Sequence, residues 1–100
     1  MTANLDELRV LHNESAQRFE LAVDGHTALL AYHRAPGIIS LDHTQVPPPI
    51  EGQGVAAKLT QSALEFARAQ QLRVVPACSY VAAYIRDHGE YQDLVSQNRR

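Results

Sequence analysis

The chain has 100 residues, a formal net charge of −2, 45% hydrophobic residues and 20% charged residues. A chain of this length builds one hydrophobic core, so we expect a single domain over residues 1–100. Because the sequence has no long basic run, we do not expect nucleic acid to be the main partner.

The sequence also argues against a membrane partner. No apolar segment approaches the length that spans a bilayer, and the opening residues MTANLDELRV carry no secretory signal. The single cysteine, Cys78, excludes a disulfide framework within the chain and favours the cytoplasm. Nothing in the sequence indicates the oligomeric state.

The first predicted strand covers residues 17–24, QRFELAVD, in which apolar and polar residues alternate. Its phenylalanine, leucine and valine share one face, as in a half-buried strand. We expect residues 8–12 to extend this strand through Asn13-Glu14-Ser15.

Two turn signals divide the next residues into two more strands. Asp24-Gly25 is typical of a tight hairpin turn and precedes a predicted strand at residues 26–34. Pro36-Gly37 is a second turn signal and precedes a strand at residues 38–46, which is rich in β-branched residues.

The pattern changes at Gly54 to that of an amphipathic helix of about four to five turns. One face of this helix carries Val55, Leu59, Ser62, Ala63, Phe66 and Ala67. The opposite face carries Lys58, Gln61, Glu65 and Arg68.

The remaining segments predict a strand and two helices. Residues 72–76 form a short apolar run, residues 79–87 have a helical pattern with Ser79 as a possible N-cap, and residues 90–97 predict a short closing helix. A strand-helix-strand unit places its strands parallel with a right-handed crossover. The predicted fold class is α+β, a small mixed sheet of antiparallel hairpins plus one parallel strand, with helices packed on it.

Residues 46–59, VPPPIEGQGVAAKL, carry the most informative motif. Backbone N–H groups at a helix start have no partner within the helix, and the helix dipole adds positive potential there. Gly52 and Gly54 let an anion approach the backbone closely, and the prolines restrict the approach segment. The motif predicts a phosphate site at the amides of residues 52–57, although two nearby glycines also occur in ordinary helix-starting connections.

Two other phosphate-binding motifs do not fit this context. A Walker-type loop ends in Gly-Lys-Ser/Thr, whereas Gly54 is followed by Val55. A dinucleotide fold accepts Gly52, Gly54 and Ala57, but it needs an acidic residue about twenty positions later. The corresponding residues 74–77 carry no acid, and antiparallel hairpins precede the loop where a parallel sheet is needed.

The segment HTQVPPPIEGQGVAAKL resembles the coenzyme A-binding segment of GNAT-type N-acetyltransferases, whose motif is Gln/Arg-x-x-Gly-x-Gly/Ala between a strand and a long helix. The chain is similar to a compact single-domain branch of this superfamily over residues 10–95. The segments that recur in this order are Phe19 to Leu21, Asp24-Gly25, His43-Thr44, Val46-Pro47, Gly52-Gln53-Gly54 and Pro76 to Val81.

The resemblance implies acetyl-coenzyme A as the acetyl donor and a small-molecule or protein amine as the acceptor. Backbone groups around Thr44 and Val46 would pair with the pantetheine arm, in a splay between neighbouring strands. The pyrophosphate loop would be formed by Gly52, Gln53, Gly54, Val55, Ala56 and Ala57. The end of the strand at residues 72–76 would lie beside the thioester.

The sequence departs from the family pattern in two places. The Gln/Arg position falls on Pro49, and Glu51 stands where close relatives carry a basic residue, which weakens the expected affinity for coenzyme A. The Asp24-Gly25 hairpin occurs where larger relatives insert helices that shape the acceptor pocket, so the acceptor cannot be inferred from the sequence.

Three residues are candidates for the chemistry. Cys78 lies near a predicted helix start that stabilises a thiolate, so it is either the nucleophile of an acetyl-cysteine route or a small buried hydrophobic residue. Tyr80 is a better candidate than Tyr84 to protonate the coenzyme A thiolate, and core packing is the alternative role. His43 is a candidate base for Cys78 or the acceptor amine, or a strand histidine satisfied by its neighbours.

The five histidines show neither helical i,i+4 pairing nor a nearby cysteine, so we expect no metal site. The leading hypothesis is an N-acetyltransferase that binds acetyl-coenzyme A. A non-catalytic coenzyme A or acyl-coenzyme A binding module is the main alternative, and an interaction domain that keeps only the fold is the third.

Overall fold

A computed structural model describes residues 9–95 as one five-stranded sheet with two α-helices. The strands lie side by side in chain order, β1-β2-β3-β4-β5. Their bounds are β1 Leu11–Asn13, β2 Arg18–Val23, β3 His26–Ala35, β4 Ile38–Gln45 and β5 Arg73–Pro76. The helices are α1 Val55–Ala69 and α2 Ser79–Asp87, and 3-10 helices cover Pro48–Ile50 and Gly89–Leu94.

The predicted fold class is confirmed. The strands β2, β3 and β4 are joined by the two predicted hairpin turns and pair antiparallel, whereas β4 and β5 pair parallel. Asp24 and Gly25 both have positive φ, 51° and 81°, as a tight two-residue turn requires. The crossover from β4 to β5 runs through α1.

The prediction that residues 8–12 extend the following strand is wrong. The chain reverses at residues 14–17 and returns antiparallel, so Leu11–Asn13 is a separate edge strand that pairs with β2. The Asn13 side-chain oxygen accepts hydrogen bonds from the Ala16 backbone N–H and the Ser15 hydroxyl, at 3.2 and 3.1 Å. This local bonding by an asparagine side chain closes a turn, because it competes with continued strand pairing.

One hydrophobic core lies between the sheet and the helices. The alternating apolar residues of the three central strands contribute Phe19, Leu21, Val23, Ala28, Leu30, Tyr32, Ile39 and Leu41. The helices contribute to the same cluster with Val55, Leu59, Ala63, Leu64, Ala67, Val81 and Ile85. Both α-helices therefore pack on one face of the sheet. We call the opposite face, which carries Glu20, Ala31, His33 and Ser40, the open face.

Two details at the helix ends differ from the prediction. Ser79 is the first residue of α2, and Cys78 takes the N-cap position without a side-chain capping bond. The predicted closing helix at residues 90–97 is a 3-10 helix over Gly89–Leu94, and residues 96–97 lie outside the described residues. This segment is attached to α1 because the Tyr91 hydroxyl donates to the Glu65 carboxylate at 2.6 Å.

Within residues 9–95, neither helix is both long and apolar enough to cross a bilayer.

The surroundings of His12 support a prediction about stability. His12 on β1 stacks on Phe19, with ring centroids 4.1 Å apart, and its Nε2 lies 2.6 Å from the Tyr32 hydroxyl. Burial lowers the pKa of His12 below its ordinary value, with the Glu14 carboxylate opposing the shift and Arg34 adding to it. The unfolded chain therefore binds this proton more readily than the folded chain.

We expect the melting temperature to fall as pH decreases below about 6.5, the ordinary histidine pKa, because protonating His12 favours unfolding. The variant His12→Phe keeps an aromatic ring against Phe19 and removes the titrating group. Thermal melts of both proteins between about pH 8 and pH 5 should show a smaller decrease for the variant. Parallel curves would show that His12 contributes nothing to the pH dependence.

Candidate functional site

The proline-rich segment ends in a loop with two glycines in a left-handed conformation. Pro48–Ile50 forms a 3-10 turn, in which the amides of Ile50 and Glu51 bond back to Pro47 and Pro48. Gly52 and Gly54 then both have φ of 81°. Only glycine adopts this conformation without steric cost, which explains the two glycines. We call residues 52–57 the amide loop.

The amide loop presents N–H groups without protein partners. The first bond of α1 runs from the Lys58 N–H to the Gly54 carbonyl at 3.1 Å. The N–H groups of Gly52, Gln53 and Gly54 donate to no acceptor within residues 9–95. Those of the first three helical residues have no acceptor within the helix, and the N-cap glycine has no side chain that can cap them. This cluster of free donors, at the positive end of a fifteen-residue helix, suits an anion.

A cavity of about 430 Å³ connects the amide loop to the end of β4. This volume lies within the range of small-molecule sites. The buried Ile50 side chain contributes to its wall, a position that the sequence analysis did not identify. The lining residues are Thr44, Val46, Ile50, Glu51, Gly52, Gly54, Val55, Ala56, Ala57 and Tyr80.

The parallel strands β4 and β5 separate beside this cavity. Their pairing runs from Ile38 to Leu41 on β4, and the last bond joins the Cys78 N–H to the Leu41 carbonyl at 2.9 Å. On its other edge, β4 stays paired with β3 as far as Gln45. Residues 42–45 therefore have no partner on β5, and residues 43–45 keep their partner on β3. We call this opening between β4 and the start of α2 the split, and it is the splay that the resemblance implies.

Cys78 lies at the split. Its Sγ is 3.5 Å from the Thr44 hydroxyl. Burial raises the pKa of the thiol, but the Thr44 hydroxyl and the backbone N–H groups of Val81 and Tyr80 favour the thiolate more, so the pKa lies below its ordinary value. The side chain is half-buried, so the sulfur is neither an inert core group nor a freely exposed thiol.

Tyr80 lines the cavity and is 40% exposed, whereas Tyr84 is half-buried and packs against the core. Burial raises the pKa of both hydroxyls, and the Tyr80 hydroxyl therefore keeps its proton at neutral pH. This placement agrees with the preference for Tyr80 as the proton donor, but its catalytic role stays a prediction.

The third catalytic candidate, His43, is not brought to Cys78. In the register of the β3–β4 pair, His43 lies opposite Ala31, whereas Thr44 lies opposite the buried Leu30. Because neighbouring strand residues point to opposite faces, His43 faces the open face and Thr44 faces the helices. Among residues 9–95, no hydrogen bond joins His43 to Cys78. The sequence could not show which face of the sheet His43 occupies, because this depends on a register shift in β4.

The electrostatics of the cavity are unusual for an anion site. Glu51 is among the lining residues, and no lysine or arginine of the described chain lines the cavity with it. The backbone N–H groups are therefore the main source of positive potential. Gln53 in the same loop has a buried side-chain oxygen without a hydrogen-bond partner in the described part of the protein. Gln53 is the one residue of the amide loop that does not line the cavity.

No group of three or more histidine, cysteine, aspartate or glutamate side chains comes together to hold a metal ion within residues 9–95.

The chain is similar to known proteins over most of its length. Protein NATD1 of Mus musculus is 29% identical over 84 residues, which cover 81% of this chain and 76% of that protein. Protein NATD1 of Danio rerio is 25% identical over 93 residues, covering 88% and 84%. The solution structure of a GCN5-like protein from Staphylococcus aureus superposes with a TM-score of 0.70 and 27% identity, covering 93% of this chain and 92% of that one.

A family model described as GCN5-related N-acetyl-transferase matches residues 18–94. The matched residues contain strands β2 to β5, the amide loop, the split and both helices. This chain therefore belongs to the GCN5-related N-acetyltransferase family.

Proposed function

We propose that the protein binds acetyl-coenzyme A and transfers its acetyl group to an amine of a small molecule or a protein. The observation that carries this proposal is the continuity of the site. Free amides at the start of α1 open into a cavity of about 430 Å³ that reaches Tyr80 and Thr44 beside the split. A ligand with an anionic end and a long polar arm has the shape that such a site accommodates.

Each part of the donor has a matching group in the chain. The N–H groups of residues 52–57 would hold the diphosphate, in the manner of other helix N-termini. The unpaired edge of β4, at residues 42–45, would bond the amides of the pantetheine arm as an added strand does. The thioester would then lie near Cys78.

The transfer itself needs a free amine, a polarised thioester carbonyl and a proton for the leaving thiolate. Tyr80 is the candidate proton donor, because this residue lines the cavity and its hydroxyl stays protonated at neutral pH. Cys78 admits two routes, direct attack of the amine on the thioester or prior transfer of the acetyl group to the Cys78 sulfur. The cytoplasmic location suggested by the single cysteine stays a prediction.

A coenzyme A binding module without catalysis is the second candidate. The observation that favours it is the β2–β3 connection, which is a two-residue turn at Asp24 and Gly25 and supplies no wall for an acceptor. Binding and catalysis are separated by two measurements on the purified protein. Calorimetry with acetyl-coenzyme A, compared with ADP, tests the donor site, and release of free thiol in the presence of an amine panel tests transfer.

We expect binding that depends on the pantetheine arm and thiol release that depends on the amine. Binding without thiol release for any amine would leave the non-catalytic module as the function. If acetyl-coenzyme A does not bind, both the acetyltransferase and the binding module are contradicted, and an interaction domain that keeps only the fold is left.

The amide loop can be tested with a matched pair of glycine variants. Gly52 and Gly37 both have positive φ, 81° and 76°, and an added Cβ would meet no atom within 4 Å at either position. Alanine at each position therefore costs a similar backbone strain, about 1–2 kcal/mol. Only Gly52→Ala places a methyl group where the diphosphate would approach, because Gly37 lies in the β3–β4 turn at the opposite end of β4.

We expect both variants to melt at similarly reduced temperatures and only Gly52→Ala to lose affinity for acetyl-coenzyme A, by tenfold or more. Calorimetry and thermal melts on the same samples measure the two effects. Equal affinities for Gly52→Ala and Gly37→Ala would remove the amide loop from the donor site.

The carboxylate of Glu51 should oppose binding of an anion. We expect Glu51→Gln to tighten acetyl-coenzyme A binding by about twofold to fivefold, the range for an exposed charge, with the gain shrinking at high salt. Asp87→Asn removes the same charge at the far end of α2 and serves as the control. A Glu51→Gln variant that binds no tighter than Asp87→Asn would show that the carboxylate points away from the ligand.

The reactivity of Cys78 gives a further prediction. Because the pKa of the thiol is lowered, alkylation by iodoacetamide should reach half its maximal rate at a lower pH than for free cysteine. Thr44→Val removes the hydroxyl that favours the thiolate, and it should move this midpoint to higher pH. Acetyl-coenzyme A should slow the alkylation. An unshifted midpoint in Thr44→Val would show that the Thr44 hydroxyl does not stabilise the thiolate.

The variants Cys78→Ser and Cys78→Ala then distinguish the two routes of transfer. Full activity in both would exclude an acetyl-cysteine intermediate, whereas loss of activity with retained donor binding would support it.

A further inference from the structure

A group of three polar side chains lies on the open face of the sheet, outside the site described above. His33 on β3 hydrogen-bonds through Nδ1 to one oxygen of the Asp42 carboxylate. The other carboxylate oxygen accepts a hydrogen bond from the Ser40 hydroxyl at 2.5 Å. The Asp42 side chain is 26% exposed, whereas the His33 side chain is 79% exposed. The carboxylate is thus held in the sheet and the imidazole reaches into solvent.

An irregularity in β4 lies at Asp42. The register pairs Tyr32 with Leu41 and Ala31 with His43, so Asp42 is an extra residue without a partner on β3. A β-bulge of this kind redirects a side chain that regular alternation would place on the other face. Here that side chain is His43. Asp42 lies on the open face, as regular alternation from Ser40 predicts, and the extra residue places His43 on the open face as well.

The position of the bulge coincides with the start of the split. Leu41 is the last residue of β4 that pairs with β5, and its carbonyl accepts the Cys78 N–H at 2.9 Å. Asp42 is therefore the first residue of β4 with no neighbour on the β5 side. Two residues later, Thr44 contacts the Cys78 sulfur on the helix face. The group of His33, Asp42 and Ser40 therefore lies at the split on the open face, and the expected thioester position lies at the split on the helix face.

The hydrogen bonding prepares His33 to accept a proton. A carboxylate accepts hydrogen bonds only, so the Nδ1 of His33 carries the hydrogen and the Nε2 keeps its lone pair. The hydrogen bond to Asp42 also fixes the orientation of the imidazole ring. The Ser40 hydroxyl holds the carboxylate in place from its other oxygen.

We propose that His33 is the general base for the acceptor amine, that Asp42 is its positioning residue, and that the acceptor approaches the split from the open face. This proposal rests on the proposed acetyl transfer and names its acceptor side. The absence of a wall at the β2–β3 hairpin then fits an acceptor, such as an amine on a larger molecule, that binds across an open surface.

The reaction balances with the groups named. The protonated amine gives one proton to His33 Nε2, and its freed lone pair attacks the thioester carbonyl carbon. The new bond joins nitrogen to carbon, and the carbon–sulfur bond breaks with its electron pair on sulfur. The sulfur takes a proton from the Tyr80 hydroxyl. Tyr80 then recovers a proton from the nitrogen that has attacked the thioester, and His33 releases its proton to solvent.

Other charged groups on the open face also contribute to any pH dependence of the transfer rate. On β2, Arg18 and Glu20 pair with each other at 2.6 Å. His43 on β4 and Arg73 on β5 also face this side, and Asp42 contacts His33 directly. A pH profile therefore has to be compared between variants that differ in His33 alone.

The variants His33→Gln and Asp42→Asn test the roles, with His26→Gln as the control. His26 is the other histidine of β3 and lies on the helix face. In assays of thiol release with a reactive amine, we expect His33→Gln to lower kcat/KM about a hundredfold or more, the usual contribution of a general base. We expect Asp42→Asn to lower kcat while KM for the amine stays unchanged, because it removes the hydrogen bond that orients the His33 ring. We expect His26→Gln to match the wild type. All three should bind acetyl-coenzyme A normally by calorimetry.

A binding measurement tests the same face without catalysis. Titration of 1,4-diaminobutane into the protein with coenzyme A, followed by NMR, should shift the signals of His33, Ser40 and Asp42. A His33→Gln variant with wild-type kcat/KM and pH profile would overturn the proposal while leaving acetyl transfer intact. Shifts confined to the helix face would also overturn it. If the wild-type protein does not bind acetyl-coenzyme A, this would instead contradict the proposed function itself.

Discussion

The site depends on the early end of the pairing between β4 and β5. Pro76 is the last residue of β5 and has no backbone N–H to continue the pairing, and α2 begins at Ser79. The final bond between these neighbouring segments is the one from the Cys78 N–H to the Leu41 carbonyl. Beyond it, residues 42–45 of β4 keep an unsatisfied edge. A sheet without this early end would bury the edge and leave no passage beside Cys78.

The parallel arrangement of β4 and β5 also sets the electrostatics. Both helices begin at the carboxyl ends of these strands, α1 after β4 and α2 after β5. Two sets of free N–H groups therefore face the same end of the sheet, where the helix dipoles are positive. One set forms the amide loop, and the other lies near the Cys78 sulfur and helps to lower the pKa of its thiol. The backbone thus provides the positive potential that the lining side chains, with Glu51 among them, do not.

The split gives the two faces of the sheet different roles in the proposed reaction. On the helix face, the cavity offers the amide loop, Thr44 and Tyr80 to the donor. On the open face, Asp42 and His33 lie at the same opening and are available to an acceptor. A donor and an acceptor that approach from opposite faces would meet without competing for one pocket. This arrangement suits a small domain in which a two-residue turn joins β2 to β3 and builds no acceptor pocket.

The sequence by itself determined what depends on local pattern. Alternation in residues 17–24, the turns at Asp24-Gly25 and Pro36-Gly37, and the glycines of the amide loop all act through neighbouring residues, so the sheet, the helices and the loop could be predicted. Only the tertiary structure decided the remainder. The bulge at Asp42, the contact of His33 with Asp42 and the side of the sheet that His43 faces depend on pairing between strands. A one-residue shift in that pairing exchanges the two faces, and no local pattern in β4 records it.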